Sequence, residues 1–177
     1  LNHAPVVASP VPDVTFQEDT TGTLDLSTVF SDSDAGDMLG VLASNFTNIA
    51  TSVDNSTGIA RFVPPRDWSG TERIMFRAAD QKGASVEAMV NVSVTPVNDP
   101  PVLVRPLPAI MMDEDTVNDT LYLSQYFDDA DFPYGESIAF SSKDNGSIGV
   151  GISPSGIVSL RPQENWSGVQ NITIRAT

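Results

Sequence analysis

Cysteine is absent from the 177 residues, histidine occurs once, and lysine and arginine together number nine. Each scarcity removes a class of chemistry. Without thiols there is no disulfide brace, no cysteine nucleophile and no zinc thiolate. The one histidine, His3, stands beside the start of the chain, so a Ser-His-Asp relay or a histidine-rich zinc site has no material. Against nine basic residues stand 23 acidic ones, a net charge of −14. No cationic stripe exists to neutralise phosphates, which excludes nucleic acid as the partner. No window approaches 18 apolar residues, so no helix of this chain is expected to insert in a membrane. No signal peptide precedes Leu1, and any export signal or anchor is expected outside these residues. Helix signals are missing too. Where the apolar pattern is long enough to judge, its period is two, and the chain reads as all-β.

What is present is present twice. Asn2-His3-Ala4-Pro5-Val6 returns as Asn98-Asp99-Pro100-Pro101-Val102, and Glu18-Asp19-Thr20 returns as Glu114-Asp115-Thr116. Asp67-Trp68-Ser69-Gly70 returns as Asn165-Trp166-Ser167-Gly168. The offsets are 96, 96 and 98. Two copies of one module, residues 1–97 and 98–177, are joined end to end, each long enough to bury its own core. The segment Val94 to Val102, with three prolines, is the boundary and reads as extended and stiff.

In the first copy Ile74, Phe76 and Ala78 alternate with polar or flexible neighbours, as do Val86, Ala88, Val90, Val92 and Val94. Shorter strands are expected at Val14 to Gln17, Thr23 to Leu26, Leu39 to Ala43, Ala50 to Asp54 and Gly58 to Val63. About seven strands with frequent turns fit a Greek-key sandwich of immunoglobulin-like type. In the second copy Leu121 and Leu123 stand for Leu24 and Leu26, Phe127 for Phe30, and Ile172 and Ile174 for Ile74 and Phe76. That copy stops at Thr177, before the equivalent of Asp80 and the last strand. It is expected to leave an unpaired edge and a half-open core. A longer chain, or a strand from another subunit, would complete it. Trp68 and Trp166, in matching turns, read as corner plugs.

The carboxylates are grouped, and grouped like charges need solvent or a cation between them. Calcium takes six to eight oxygens and accepts them from separate loops. The boundary supplies such a set in Glu18 and Asp19, in Asn98 and Asp99 of the linker, and in Asp129 and Asp131, with Glu136 in the same acidic run. Asp32-Ser33-Asp34-Ala35-Gly36-Asp37 begins like an EF-hand loop, but its twelfth position is Ala43, its glycine is one place early, and no helices flank it.

The run Val94 to Pro101, the unit length and these acidic positions resemble the cadherin-like repeats of surface proteins, and the plan is similar to that of cadherins proper. The resemblance covers the whole chain. It implies two tandem immunoglobulin-like, cadherin-like Greek-key sandwiches, the second lacking its last strand. It also implies calcium (Ca2+) at module junctions. Glu18 and Glu114 match the acidic motif before the second strand, and Asn98 and Asp99 the linker. The Asp-x-Asp loop is matched by Asp32/Asp34 and Asp129/Asp131, the last ligand by Asp80, and the acidic turn by Asp67, where the second copy has Asn165. The first copy departs from the linker pattern with Asn2-His3.

Seven of ten asparagines open N-x-Ser/Thr sequons, at Asn45, Asn55, Asn91, Asn118, Asn145, Asn165 and Asn171, where composition alone gives about two. The expectation is an exported, N-glycosylated chain at the cell surface, with no enzymatic activity. It would be part of a multi-domain rod, filament or surface layer stiffened by calcium. Its partners would be neighbouring repeats of the same chain and other copies of itself. The alternative is a carbohydrate- or protein-binding module of a secreted protein.

Overall fold

The computed structural model describes residues 2–34, 36–143 and 146–177. The chain divides into two compact units, Leu1–Val97 and Asn98–Thr177. Both are built of strands, joined by turns and two single 3-10 turns.

Unit 1 contains β1 (Val6–Val7), β2 (Val14–Gln17), β3 (Gly22–Asp25), β4 (Phe30–Ser31), β5 (Gly40–Ser44), β6 (Ala50–Asp54), β7 (Ile59–Val63), β8 (Gly70–Ala79) and β9 (Ser85–Thr95). One sheet has the order β2-β9-β8-β5, the second β3-β7-β6, and β1 pairs with β4. Alternation along β8 and β9 produces the sandwich, because period-two side chains load one face only. Ile74, Phe76, Ala78 and Val92 are fully buried, and Val90 and Val94 nearly so. They meet Leu24, Ala60 and Phe62 of the other sheet in one core. The rings of Phe62 and Phe76 cross that core edge to face at 6.3 Å, the arrangement the aromatic quadrupole favours.

One pairing places the acidic residues. Pro10 and Pro12 interrupt the first strand, since proline cannot donate to a ladder. The chain leaves the β1–β4 ribbon there and joins the opposite sheet as β2, parallel to β9, with Val14 opposite Val92 and Gln17 opposite Thr95. Parallel strands exit at the same end. The amide of Glu18 extends the ladder to the Thr95 carbonyl at 3.0 Å, so Glu18 emerges beside the chain leaving β9.

Unit 2 contains β10 (Val102–Leu103), β11 (Asn118–Tyr122), β12 (Phe127–Asp128), β13 (Phe140–Lys143), β14 (Ile148–Ile152), β15 (Ile157–Pro162) and β16 (Thr173–Ala176), with 3-10 turns at Leu123–Gln125 and Phe132–Tyr134. Its pairings repeat those of unit 1. β10 pairs with β12, β11-β15-β14 form one sheet, and β13 pairs with β16. Among the described residues, counterparts of β2 and β9 are absent. In unit 1 the sheet partner of β2 is β9. Leu121, Leu123, Val158 and Leu160 are buried, while Ile172 and Ile174 pack against them only partly covered. The open side forms a groove of about 930 Å³ lined by Leu107, Ile110, Met112, Trp166, Ile172 and Ile174 among others.

Candidate acidic sites at the ends of the units

Glu18 is 3% exposed. Its Oε1 accepts the amide of Val97 at 2.6 Å, and its Oε2 is buried without a hydrogen-bond partner. An unsatisfied buried carboxylate oxygen costs on the order of 1–3 kcal/mol. Glu114, its repeat in unit 2, is exposed.

The residues next to Glu18 have a role inside their own unit. Asp19 and Asp67 adopt left-handed backbone conformations, φ 56° and 52°, tolerated by Asp and Asn better than by most residues. Asp19 Oδ1 accepts the amide of Asp67 at 3.1 Å, and the Thr20 hydroxyl donates to the Gln17 carbonyl at 2.5 Å. Unit 2 reproduces each element. Asp115 and Asn165 have φ 58° and 54°, Asp115 Oδ1 accepts the Asn165 amide at 2.8 Å, and Thr116 donates to the Asp113 carbonyl at 2.6 Å. A neutral Asn165 serves as well as Asp67, so the repeat here preserves a turn brace. The tryptophan that follows explains the glycine shared by the two copies. A Cβ at Gly70 would lie 3.0 Å from the Trp68 ring, and one at Gly168 would lie 2.9 Å from Trp166. Asp19 and Asp67 also hold carboxylate oxygens within 4.8 Å of each other, and Arg66 Nε reaches Asp67 at 3.3 Å from an exposed position.

The Asp-x-Asp loops are likewise duplicated. Asp32 Oδ1 accepts the Asp34 amide at 2.8 Å, and Asp129 Oδ1 accepts the Asp131 amide at 3.0 Å. Each second carboxylate then takes a linker amide, His3 to Asp34 Oδ2 at 2.9 Å and Asp99 to Asp131 Oδ2 at 2.7 Å. Asp129 and Asp131 are 9% and 3% exposed. Asn98 Nδ2 donates to the Asp99 carbonyl at 3.1 Å. The Glu136 side chain is exposed, while its amide donates to the Asp131 carbonyl at 3.4 Å.

Unit 1 adds cations that sequence reading passed over. His3 Nδ1 lies 2.7 Å from Asp34 Oδ1, and Lys82 Nζ lies 3.1 Å from Asp37 and 3.9 Å from Asp34. The hydrogen bond and charge of Asp34 raise the His3 pKa, and hydrogen bonding to His3 lowers that of Asp34. Hydrogen bonding to Asp37 raises Lys82. Asp80, 7% exposed, accepts Asn2 Nδ2 at 2.9 Å and the amides of Lys82 and Ala84 at 2.8 and 2.9 Å. The Asn2 bond foremost lowers its pKa. The available signal was Lys82, one of nine basic residues, standing inside the turn that Asp80 opens.

Of the sequon asparagines, Asn45, Asn165 and Asn171 are exposed, and Asn118 is half-buried with its Oδ1 accepting from Thr120. The other two described ones are engaged. Asn55 closes a pair of hydrogen bonds with the Val41 backbone at 2.7 and 3.2 Å. Asn91 Nδ2 donates to Asp13 at 3.1 and 3.2 Å. Asn145 lies outside the described residues.

Comparison with known proteins agrees with this architecture. Residues 1–95 match the family model of the cadherin-like domain. A protocadherin gamma B3 structure of domains EC1-4 matches with TM-score 0.63 and 15% identity, over 98% of this chain and 45% of that one. Drosophila N-cadherin EC1-4 matches with TM-score 0.61 and 15% identity, over 99% and 45%. An endo-fucoidan hydrolase of glycoside hydrolase family 107 matches at TM-score 0.43 and 18% identity, over 98% and 28%, too distant to bear on function. The chain spans less than half the length of each of these. No curated protein matches.

Proposed function

Because the chain belongs to the family of cadherin-like domains, we propose that it is a structural or adhesive part of an extracellular protein whose acidic loops take calcium. Glu18 carries the reading. A carboxylate with one oxygen on a backbone amide and the other buried and unpartnered is costly as it stands and is relieved by a cation. Asp19 and Asp67, close to each other, supply further oxygens of the hard type calcium prefers. In unit 2, Asp129 and Asp131 are buried, and Asn98 and Asp99 precede them in the linker. We assign Glu18, Asp19, Asp67, Asn98, Asp99, Asp129 and Asp131 as candidate ligands. Each unit is then one module. Calcium would neutralise the carboxylates and stiffen the connection through Asn98-Asp99, so that the chain serves as a spacer in a surface rod, filament or layer. No catalytic role is proposed.

N-glycans belong to the same reading at Asn45, Asn118, Asn165 and Asn171. At Asn55 and Asn91 a glycan would compete with the bonds to Val41 and Asp13. A carbohydrate-binding role would need exposed aromatic rings, and Phe132, 43% exposed, is a thin platform.

The test is thermal unfolding with calcium and with excess chelator, on the native chain and on E18Q. The expected result is a calcium-dependent rise in Tm that E18Q loses. No rise in the native chain would overturn calcium binding. An E18Q chain that keeps the full rise would remove Glu18 from the site.

A further inference from the structure

The group formed by Asp32, Asp34 and Asp37 has carboxylate oxygens within 4.8 Å of one another, which resembles a second cation site. Four of its six oxygens are already engaged. Asp34 Oδ2 takes the His3 amide and Asp34 Oδ1 the His3 ring. Asp32 Oδ1 takes the Asp34 amide, and Asp37 Oδ2 takes the Lys82 ammonium. Only Asp32 Oδ2 is buried and without a partner. Calcium needs six to eight oxygens at about 2.3–2.6 Å, and here it would share three carboxylates with an ammonium 3.1 Å from one of them and 3.9 Å from another. Two cations repel in such a space, and the tethered one is always at hand.

We propose that the Lys82 ammonium is the resident cation of the Asp32, Asp34 and Asp37 group, so that this group does not take calcium. The arrangement ties three segments far apart in sequence: Asn2 and His3 at the start, the loop after β4, and the turn between β8 and β9. It goes beyond the calcium reading of Glu18 and does not depend on it. It also reassigns Asp34 from a metal ligand to an anchor for the entering chain, and Lys82 from a surface residue to the determinant of ion selectivity.

The experiment is a calcium titration of the full 177-residue chain, followed by amide 1H–15N spectra and taken to ~10 mM, above the range of weak extracellular calcium modules. The amides of Asp34, Asp37 and Ala84 report the Lys82 group, and those of Asp67 and Val97 separately report the Glu18 group. In the native chain and in K82R the first set should stay in place. In K82Q it should move saturably, with an apparent Kd of about 1 mM or below, at least about tenfold tighter than in the native chain. Saturable movement of Asp34 and Asp37 in the native chain with the affinity seen in K82Q would overturn the proposal. A K82Q chain whose amides ignore calcium would overturn it too. Silence at Asp67 and Val97 would count only against the Glu18 reading.

Discussion

The two units carry the same motifs and bury them differently. Among the described residues, fourteen apolar ones form the buried core of unit 1, while in unit 2 Leu121, Leu123, Val158 and Leu160 do. Glu18 is buried and Glu114 exposed, although both precede the same Asp-Thr turn. A single element accounts for both contrasts. β9 covers Ile74 and Phe76, recruits β2 as its parallel neighbour, and carries Val97 back past Glu18. Among the described residues of unit 2, Ile172 and Ile174 are only partly covered and Glu114 is exposed. The Asp-Thr turn is thus the same in both units, while the burial of Glu18 comes from the strand that carries Val97 past it.

The largest test of this comparison is in the core. Phe76→Ala removes a fully buried ring and should cost about 3–5 kcal/mol, whereas Ile174→Ala on the open side should cost less than half of that. Each unit has one tryptophan, so urea unfolding followed by fluorescence reads unit 1 alone in a W166F background and unit 2 alone in a W68F background. Equal costs would break the contrast.

Next in size is the calcium response. At calcium one hundred times its Kd, linkage adds about 2.7 kcal/mol to the bound unit. Glu18→Gln should remove that gain, and Glu114→Gln should leave it unchanged. Isothermal titration of the two variants checks the pair, and equal losses would show that burial is irrelevant to the site.

The turn brace should show no contrast. Asp19→Ala and Asp115→Ala each lose one hydrogen bond at a left-handed position, about 1–2 kcal/mol in either unit. Chelator should not change the Asp115 value. Denaturant midpoints read this, and a much larger loss for Asp19 in chelator would deny it the same bracing role.

The smallest effect is confined to unit 1. The Glu72 carboxylate accepts the amides of Thr47, Asn48 and Ile49. Burial alone would raise its pKa, but those amides bring it below the ordinary value of 4.5. A depressed folded pKa stabilises above the unfolded pKa and loses that stabilisation as pH falls through the folded one. Unit 1 should thus weaken below about pH 4.5, and E72Q should flatten that part of the pH profile measured by Tm.

Much of the fold was legible in the chain. Val14 to Gln17 and Ala50 to Asp54 are strands with the expected bounds, and the others differ by one to four residues at their ends. Period-two alternation is a local property, so reading it needs no partner. The two-residue strands β1, β4, β10 and β12 were missed because pieces so short have no period. The acidic positions were harder. In sequence they group as oxygens for a cation, yet Asp19, Asp115, Asp67 and Asn165 brace turns inside their own units, and Asp32 and Asp129 do the same for the loops that follow.

By itself, then, the sequence determined the repeat, the all-β class, the strands of the core and the residue types able to meet a cation. These follow from side-chain periodicity and turn preference over a few neighbouring residues. Only the tertiary structure decided that Glu18 is buried with an unpartnered oxygen and that Lys82 stands among Asp34 and Asp37. Those outcomes depend on partners brought together across the sheet, such as Glu18 with Val97 and Asn2 with Asp80, 79 and 78 residues apart. Burial and charge at such distances are properties of strand order, which no local pattern encodes.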